Sequence, residues 1–228
     1  QLAAITPAAL ANITAAQVAG VNNVHHPMKA ETLAALGPSI VGLSDSALGA
    51  IRGYDGNPTW NQVLSAEQVT ALGSRIGSLN TDAIANLSIS AVGVLSATQV
   101  DALTGPQVQA LGDRVSGLSA AAVGSLDAVQ VDALSAEQVG ALGARVSFLS
   151  AAAVQSLDAT QVDGLTPVQV GQLGVLVSNL TPAAVGSLDA AQLAAVTIDY
   201  WGFLSNFSAA QLAAITPAAL ANITAAQV

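Results

Sequence analysis

Residues 134–165 read LSAEQVGALGARVSFLSAAAVQSLDATQVDGL, and the leucine spacing in that stretch decides the fold. Leucines stand at 134, 142, 149, 157 and 165, so the steps are 8, 7, 8 and 8 residues. The same four steps lead from Leu103 to Leu134. A longer period overlies them: Leu64, Leu95, Leu126, Leu157 and Leu188 follow at 31-residue intervals and open LSAEQV, LSATQV, LDAVQV, LDATQV and LDAAQL. Self-similarity at such a period marks a repeat architecture, in which no single repeat can bury its apolar face alone.

The eight-residue unit is a helix-start signal written repeatedly. Leu is followed by Ser, Thr or Asp, whose oxygen suits an N-cap. Ala or Pro comes next, as at Pro7, Pro167 and Pro182, where a first-turn residue needs no N–H partner. Gln three residues after the cap (Ser135 with Gln138, Thr166 with Gln169) completes a capping box. Leu134 and Val139 are spaced as a hydrophobic staple across the same helix start. The seven-residue unit is different: Gly112, Gly143 and Gly174 stand where the cap residue should be. Either a fresh short helix begins at the glycine, or the preceding helix runs through it, since Val139, Leu142, Val146 and Leu149 keep helical spacing. The expected fold class is all-α: a solenoid or superhelix of very short helices in 8-7-8-8 units with a 31-residue period. The alternative is a β-solenoid, opposed by the Ala and Gln content, the capping boxes and Pro in first turns.

A second repeat is longer still. Residues 1–18, QLAAITPAALANITAAQV, recur unchanged at 211–228, an offset of 210. The expectation is one solenoid over residues 1–228, a window of a longer chain with a 210-residue super-repeat; deliberate duplication of the end segment is the alternative. Irregular stretches at 19–27, 51–63 and 197–207 interrupt the units. All the aromatic residues except Phe148 sit in the last two: Tyr54, Trp60, Tyr200, Trp201, Phe203 and Phe207. Trp and Tyr supply large contact area at low entropy cost, so these six are the self-association candidates; plugging the ends or a kink of the solenoid is the plainer role.

Composition narrows the function. The 228 residues are 52% hydrophobic and 8% charged, with 5 Lys+Arg against 14 Asp+Glu and a net charge of −9. Mean hydropathy is +0.59. So apolar a chain is not disordered, and so few cations disfavour nucleic-acid binding. Zero Cys excludes disulfides and thiolate metal sites. No uninterrupted apolar run of about 18 residues offers a transmembrane segment. No nucleophile, phosphate loop or acid–base constellation stands out, and the recurring Ser and Asp are cap residues first, so an enzyme is not expected.

Several weaker signals remain. His25 and His26, beside Asn22, Asn23 and Glu31, read as a polar loop, because adjacent His side chains rarely converge on one ion. Asp127, Asp158 and Asp189 recur as N-caps, while Asp101, Asp132 and Asp163 fall near helix C-termini. In a stacked solenoid the second set forms a carboxylate column. It could bind Ca²⁺, meet Arg114 and Arg145, or face water. No other cofactor is implied. Asn12, Asn86, Asn179, Asn206 and Asn222 begin N-x-Ser/Thr sequons, which the repeat grammar generates by construction. Thr/Ala-rich faces raise ice binding, but the Thr are too irregularly placed for a lattice match.

The units LSAEQVGAL, LTPVQVGQL and ITAAQVAG resemble the tandem Leu-Thr-x-x-Gln-Val/Ile-x-x-Leu repeats of very long bacterial secreted or surface proteins often labelled adhesin-like. The resemblance covers Leu64–Val196 well and the remainder loosely. It implies an extracellular or cell-surface protein with a structural or adhesive role. The fixed 8-7-8-8 order and the aromatic insertions depart from that pattern and point to a more defined assembly than a flexible stalk. The expected function is therefore a filament, sheath or stalk built by self-association with copies of the chain; an adhesive binding module is the alternative.

Overall fold

A five-residue α-helix is almost entirely ends. Four N–H groups at its start and four C=O groups at its finish lack an intrahelical partner, and a helix this short does not persist alone in water. The computed structural model, which describes residues 6–19, 30–51, 63–196 and 207–223, is nevertheless built from such pieces. Its α-helices are four to seven residues long, and no strand occurs among the described residues. The chain is all-α, and the β-solenoid alternative is overturned.

Two compact units divide the chain, Gln1–Ala122 and Val123–Val228. In the second unit the repeat is regular. Helix Ala128–Asp132 is followed by helix Ala136–Ala141, a 3₁₀ segment Gly143–Phe148, helix Ala151–Ser156 and helix Ala159–Asp163. The pattern resumes with Pro167–Leu173, the 3₁₀ segment Gly174–Asn179, Pro182–Gly186 and Ala190–Ala195. In the first unit, 3₁₀ segments Gly37–Gly42, Gly73–Ser78 and Gly112–Gly117 alternate with helices in the same manner.

Where Gln stands at the third helical position from Gln68 onward, the helix start is the capping box expected from the spacing. Ser135 accepts from the Gln138 backbone N–H at 3.2 Å while Gln138 Oε1 accepts from the Ser135 N–H at 3.0 Å. Asp158 does the same more tightly, at 2.7 Å from the Gln161 N–H, as a charged acceptor should. Helix ends close by a tighter turn. Leu103, Leu134 and Leu165 donate to the carbonyls of Val100, Val131 and Val162, three residues back, at 3.0–3.1 Å. That turn swings each Leu inward, and the unit leucines from Leu64 to Leu188 are at most 4% exposed. The fourth helical position is equally buried, as Val131, Val139, Val162 and Val170 show. Each such side chain contributes about 1.5–3 kcal/mol by burial, which is what holds helices too short to stand alone.

In the seven-residue units a fresh short helix does begin at the glycine, but it is 3₁₀ and the glycine is not its N-cap. The α-helix stops at the Leu, and the glycine breaks it with a positive φ: 53° at both Gly73 and Gly174, with ψ of −142° and −129°. These values lie near the first central position of a type II′ turn, about +60°, −120°, a region made for glycine. A 3₁₀ segment without a side-chain cap follows. The glycine thus acts through its backbone and not as a substitute N-cap.

Packing runs on a different period from sequence. Helix Ala136–Ala141 packs on Ala159–Asp163, and Pro167–Leu173 on Ala190–Ala195, in each case the third short unit further along the chain. In the first unit Thr81–Ala85 packs on Gly105–Ala110 with the same spacing. Neighbouring helices are therefore three short units apart, not the four of the 31-residue repeat. Glycines in such contacts let backbones meet closely: a Cβ on Gly171 would lie 2.8 Å from the Ala195 carbonyl oxygen, and one on Gly77 would collide with that of Ala102.

Candidate functional site

The interior is lined by a polar group that apolar cores usually exclude. Gln68, Gln99, Gln107, Gln130, Gln138, Gln161, Gln169, Gln192 and Gln211 are all buried, at 0–6% exposure. Each stands at the third position of a short helix, where its Oε1 meets the cap residue's N–H. A buried amide with an unfilled donor would cost free energy. These donors are filled from the neighbouring repeat: Gln68 Nε2 donates to Leu33 O at 2.7 Å and Gln99 Nε2 to Val69 O at 2.6 Å. Gln161 serves Val131 O at 2.9 Å and Leu134 O at 2.7 Å; Gln192 serves Val162 O at 3.0 Å and Leu165 O at 2.7 Å. One side chain thus satisfies an orphan N–H at the start of its own helix and adds a donor to carbonyls at the end of a helix about one long repeat earlier.

Asn80 performs both tasks from the cap itself. Its Oδ1 accepts from the Ala83 N–H at 2.8 Å, and its Nδ2 donates to Gly49 O at 2.8 Å and Ile51 O at 2.7 Å. Units without Gln have a small residue at the same place, and Ala83, Ala91, Ala122, Ala153 and Ala184 are at most 2% exposed. The donating half of the glutamine is what the sequence reading missed. Its signal was available: every capping box here uses Gln, although Glu completes a capping box equally well. Only an amide can also donate to a carbonyl.

Charged groups reinforce the same joints from outside. Arg75 donates Nε to Asp45 Oδ1 at 2.9 Å, Nη1 to Val41 O at 2.7 Å and Nη2 to Leu43 O. The Asp45 carboxyl is held below its ordinary pKa, first by the Arg75 hydrogen bond, then by the charge of that guanidinium, with the Ser78 hydroxyl adding to both. Arg114 and Arg145, in 3₁₀ segments, donate Nε to the Leu111 and Leu142 carbonyls at 2.9 and 3.1 Å, at the C-caps of the preceding α-helices. Glu137, beside the Ser135 cap, is lowered by its own backbone N–H and then by the Ser135 hydroxyl.

The residues singled out by sequence fall as follows. Asp127, Asp158 and Asp189 are N-caps, each accepting from a Gln N–H at 2.7 Å. Asp101, Asp132 and Asp163 end their helices and are exposed. In the Val123–Val228 unit helix Ala128–Asp132 packs on Ala151–Ser156, and Ala159–Asp163 on Pro182–Gly186. Among the described residues no three His, Cys, Asp or Glu side chains gather as ligands for a metal ion. His25, His26, Tyr54, Trp60, Tyr200, Trp201 and Phe203 lie outside the described residues. Phe207 is 6% exposed and belongs to the interior of its own chain, whereas Phe148 is 54% exposed. Two sequons read as products of the repeat: Ser88 and Thr181, their hydroxyl residues, are N-caps of helices Ile89–Gly93 and Pro182–Gly186. No described helix is long and apolar enough to cross a membrane. Compared with known proteins, the chain matches no family model and no curated protein.

Proposed function

We propose that the chain is a structural, non-enzymatic repeat protein: a solenoid of short helices that builds an extracellular filament, sheath or stalk by stacking on copies of itself. The observation that carries this reading is the buried glutamine set. Backbone groups at one helix end are completed by the repeat that follows, so the fold grows by addition and each repeat is finished by its successor. Mean hydropathy of +0.59 with 8% charged residues suits a surface meant to be covered. The resemblance to tandem surface-protein repeats supports an extracellular setting.

Electron microscopy of the purified chain at rising concentration tests it. Fibres of constant width are expected. A monomer that stays dispersed and carries affinity for a glycan or protein would overturn it in favour of an adhesive module. That second reading draws on the exposed apolar side chains Val129, Phe148, Val168 and Val175, each more than half exposed.

A further inference from the structure

In the stretch described in both copies of the 18-residue segment, residues 9–10 and 219–220 are buried on opposite sides. In the first, Leu10 is 1% exposed and Ala9 is exposed. In the second, the equivalent Leu220 is 43% exposed and Ala219 only 3%. Identical residues therefore use different faces. The leucine face of helix Pro7–Leu10 is covered by the 3₁₀ segment Gly37–Gly42, whose Ile40 is fully buried and whose Gly42 lies against the Pro7 backbone. The alanine face of Ala219–Asn222 is covered by helix Ala190–Ala195. Gln17 in the first copy is exposed, whereas its counterparts at the same helical position from Gln68 onward are buried against an earlier repeat.

We infer that the leucine face of residues 217–223 is a docking surface for a second copy of this chain, and that the seat it fits is that copy's Gly37–Gly42. The seat already accepts this sequence, because Pro7–Leu10 occupies it within the chain, and Pro217–Leu220 repeats those residues without a change. Docking is consequently an exchange: residues 216–223 of one copy displace residues 6–13 of another. The occupant keeps its own contact with Ala190–Ala195, so the exchanged segment is covered on both faces. Contacts balance in the unmodified chain, since covering Leu220 uncovers Leu10. Anything that weakens the internal occupant tips the balance toward assembly.

This inference rests on the self-associating reading above and can be tested apart from it. In the full-length chain, Leu10→Asp should loosen the internal occupant and raise self-association at least tenfold over the unmodified chain, read by sedimentation velocity across a concentration series. Adding Leu220→Asp should return the chain to the monomer, with circular dichroism confirming that both variants keep their helix content. Leu10→Ala should give the same order in weaker form. No gain in association on weakening Leu10, or equal association with and without Leu220→Asp, would overturn the exchange. Fibres of the unmodified chain alongside such a result would leave the filament reading standing. Association through Leu220 in a chain that never forms fibres would remove the filament and keep the exchange.

Discussion

Gln161 and Leu134 stand 27 residues apart, and the Gln161 Nε2 donates to the Leu134 carbonyl oxygen at 2.7 Å in a buried contact. The same nitrogen serves Val131 O at 2.9 Å, and the amide oxygen accepts from the Asp158 N–H at 2.9 Å. The side chain is a connector whose two ends have opposite polarity. That polarity separates the residue from its nearest chemical relative.

Replacing Gln161 by Glu keeps the acceptor that closes the capping box and destroys the donor. The buried Leu134 carbonyl loses the Gln161 donor and the Val131 carbonyl is left with the Leu134 N–H alone, at about 1–3 kcal/mol in all, and a carboxylate oxygen is placed against both. Gln161→Glu should therefore lose about 3 kcal/mol or more in urea unfolding at neutral pH, more than Gln161→Met. Acid should relieve part of the loss, because burial and facing carbonyls raise that carboxyl's pKa and its protonated form donates again. A Gln161→Glu chain as stable as the unmodified one at neutral pH would show that the inter-repeat bonds carry no weight.

Gly174 tests the backbone alone. Nothing lies within 4 Å of a Cβ built there, so a loss on substitution cannot come from crowding. Its φ of 53° with ψ of −129° is also outside the left-handed helical region that Asn tolerates. Gly174→Ala and Gly174→Asn should thus lose stability alike, about 1–3 kcal/mol. Recovery with Asn in thermal melts would mean that the turn relaxes into an ordinary left-handed cap. Gly171→Ala should fail for the other reason, since its Cβ meets the Ala195 carbonyl at 2.8 Å.

Helix starts were legible in the sequence, because caps, boxes and staples are local: Leu134, Ser135, Gln138 and Val139 all belong to one short unit. The core was legible too, because Leu and Val recur at fixed steps. The packing partner of Ala136–Ala141 was not. The strong 31-residue period masks a contact made three short units away, which depends on how far each turn rotates the chain. The sign of φ at Gly73 and Gly174 was equally hidden, since glycine marks freedom without saying how it is used. The donor half of Gln161 reaches a non-local partner, and only the consistent choice of Gln over Glu hinted at it.

The Asp45–Arg75 pair predicts a small acid sensitivity of the first unit. Arg75 lowers the Asp45 pKa in the folded chain, so the stabilisation is present above the unfolded carboxylate pKa and is lost as pH falls through the depressed folded value. Exposure of both side chains keeps the effect modest. Asp45→Asn should lower the melting temperature slightly at neutral pH and leave it unchanged in strong acid, where the native carboxyl is protonated too. An equal drop at both pH values would mean that Asp45 acts through packing and not through charge.

The two kinds of eight-residue unit differ at their third helical position, and they should not be interchangeable. Ala153 is fully buried, and its N–H donates to the Ser150 cap at 3.1 Å. Writing Gln there would restore the sequence of a capping box, and local reasoning calls it neutral or helpful. Packing argues the reverse, because the longer side chain enters an interior that already closes over a methyl group, at about 1–3 kcal/mol. The converse change, Gln161→Ala, opens a cavity and removes the donor shared by the Leu134 and Val131 carbonyls. Both substitutions should therefore destabilise, with Gln161→Ala the worse, and urea midpoints of the two single variants decide it. Ala153→Gln stabilising the chain would mean that local capping, and not the match between a unit and the neighbour three units away, assigns each unit its place.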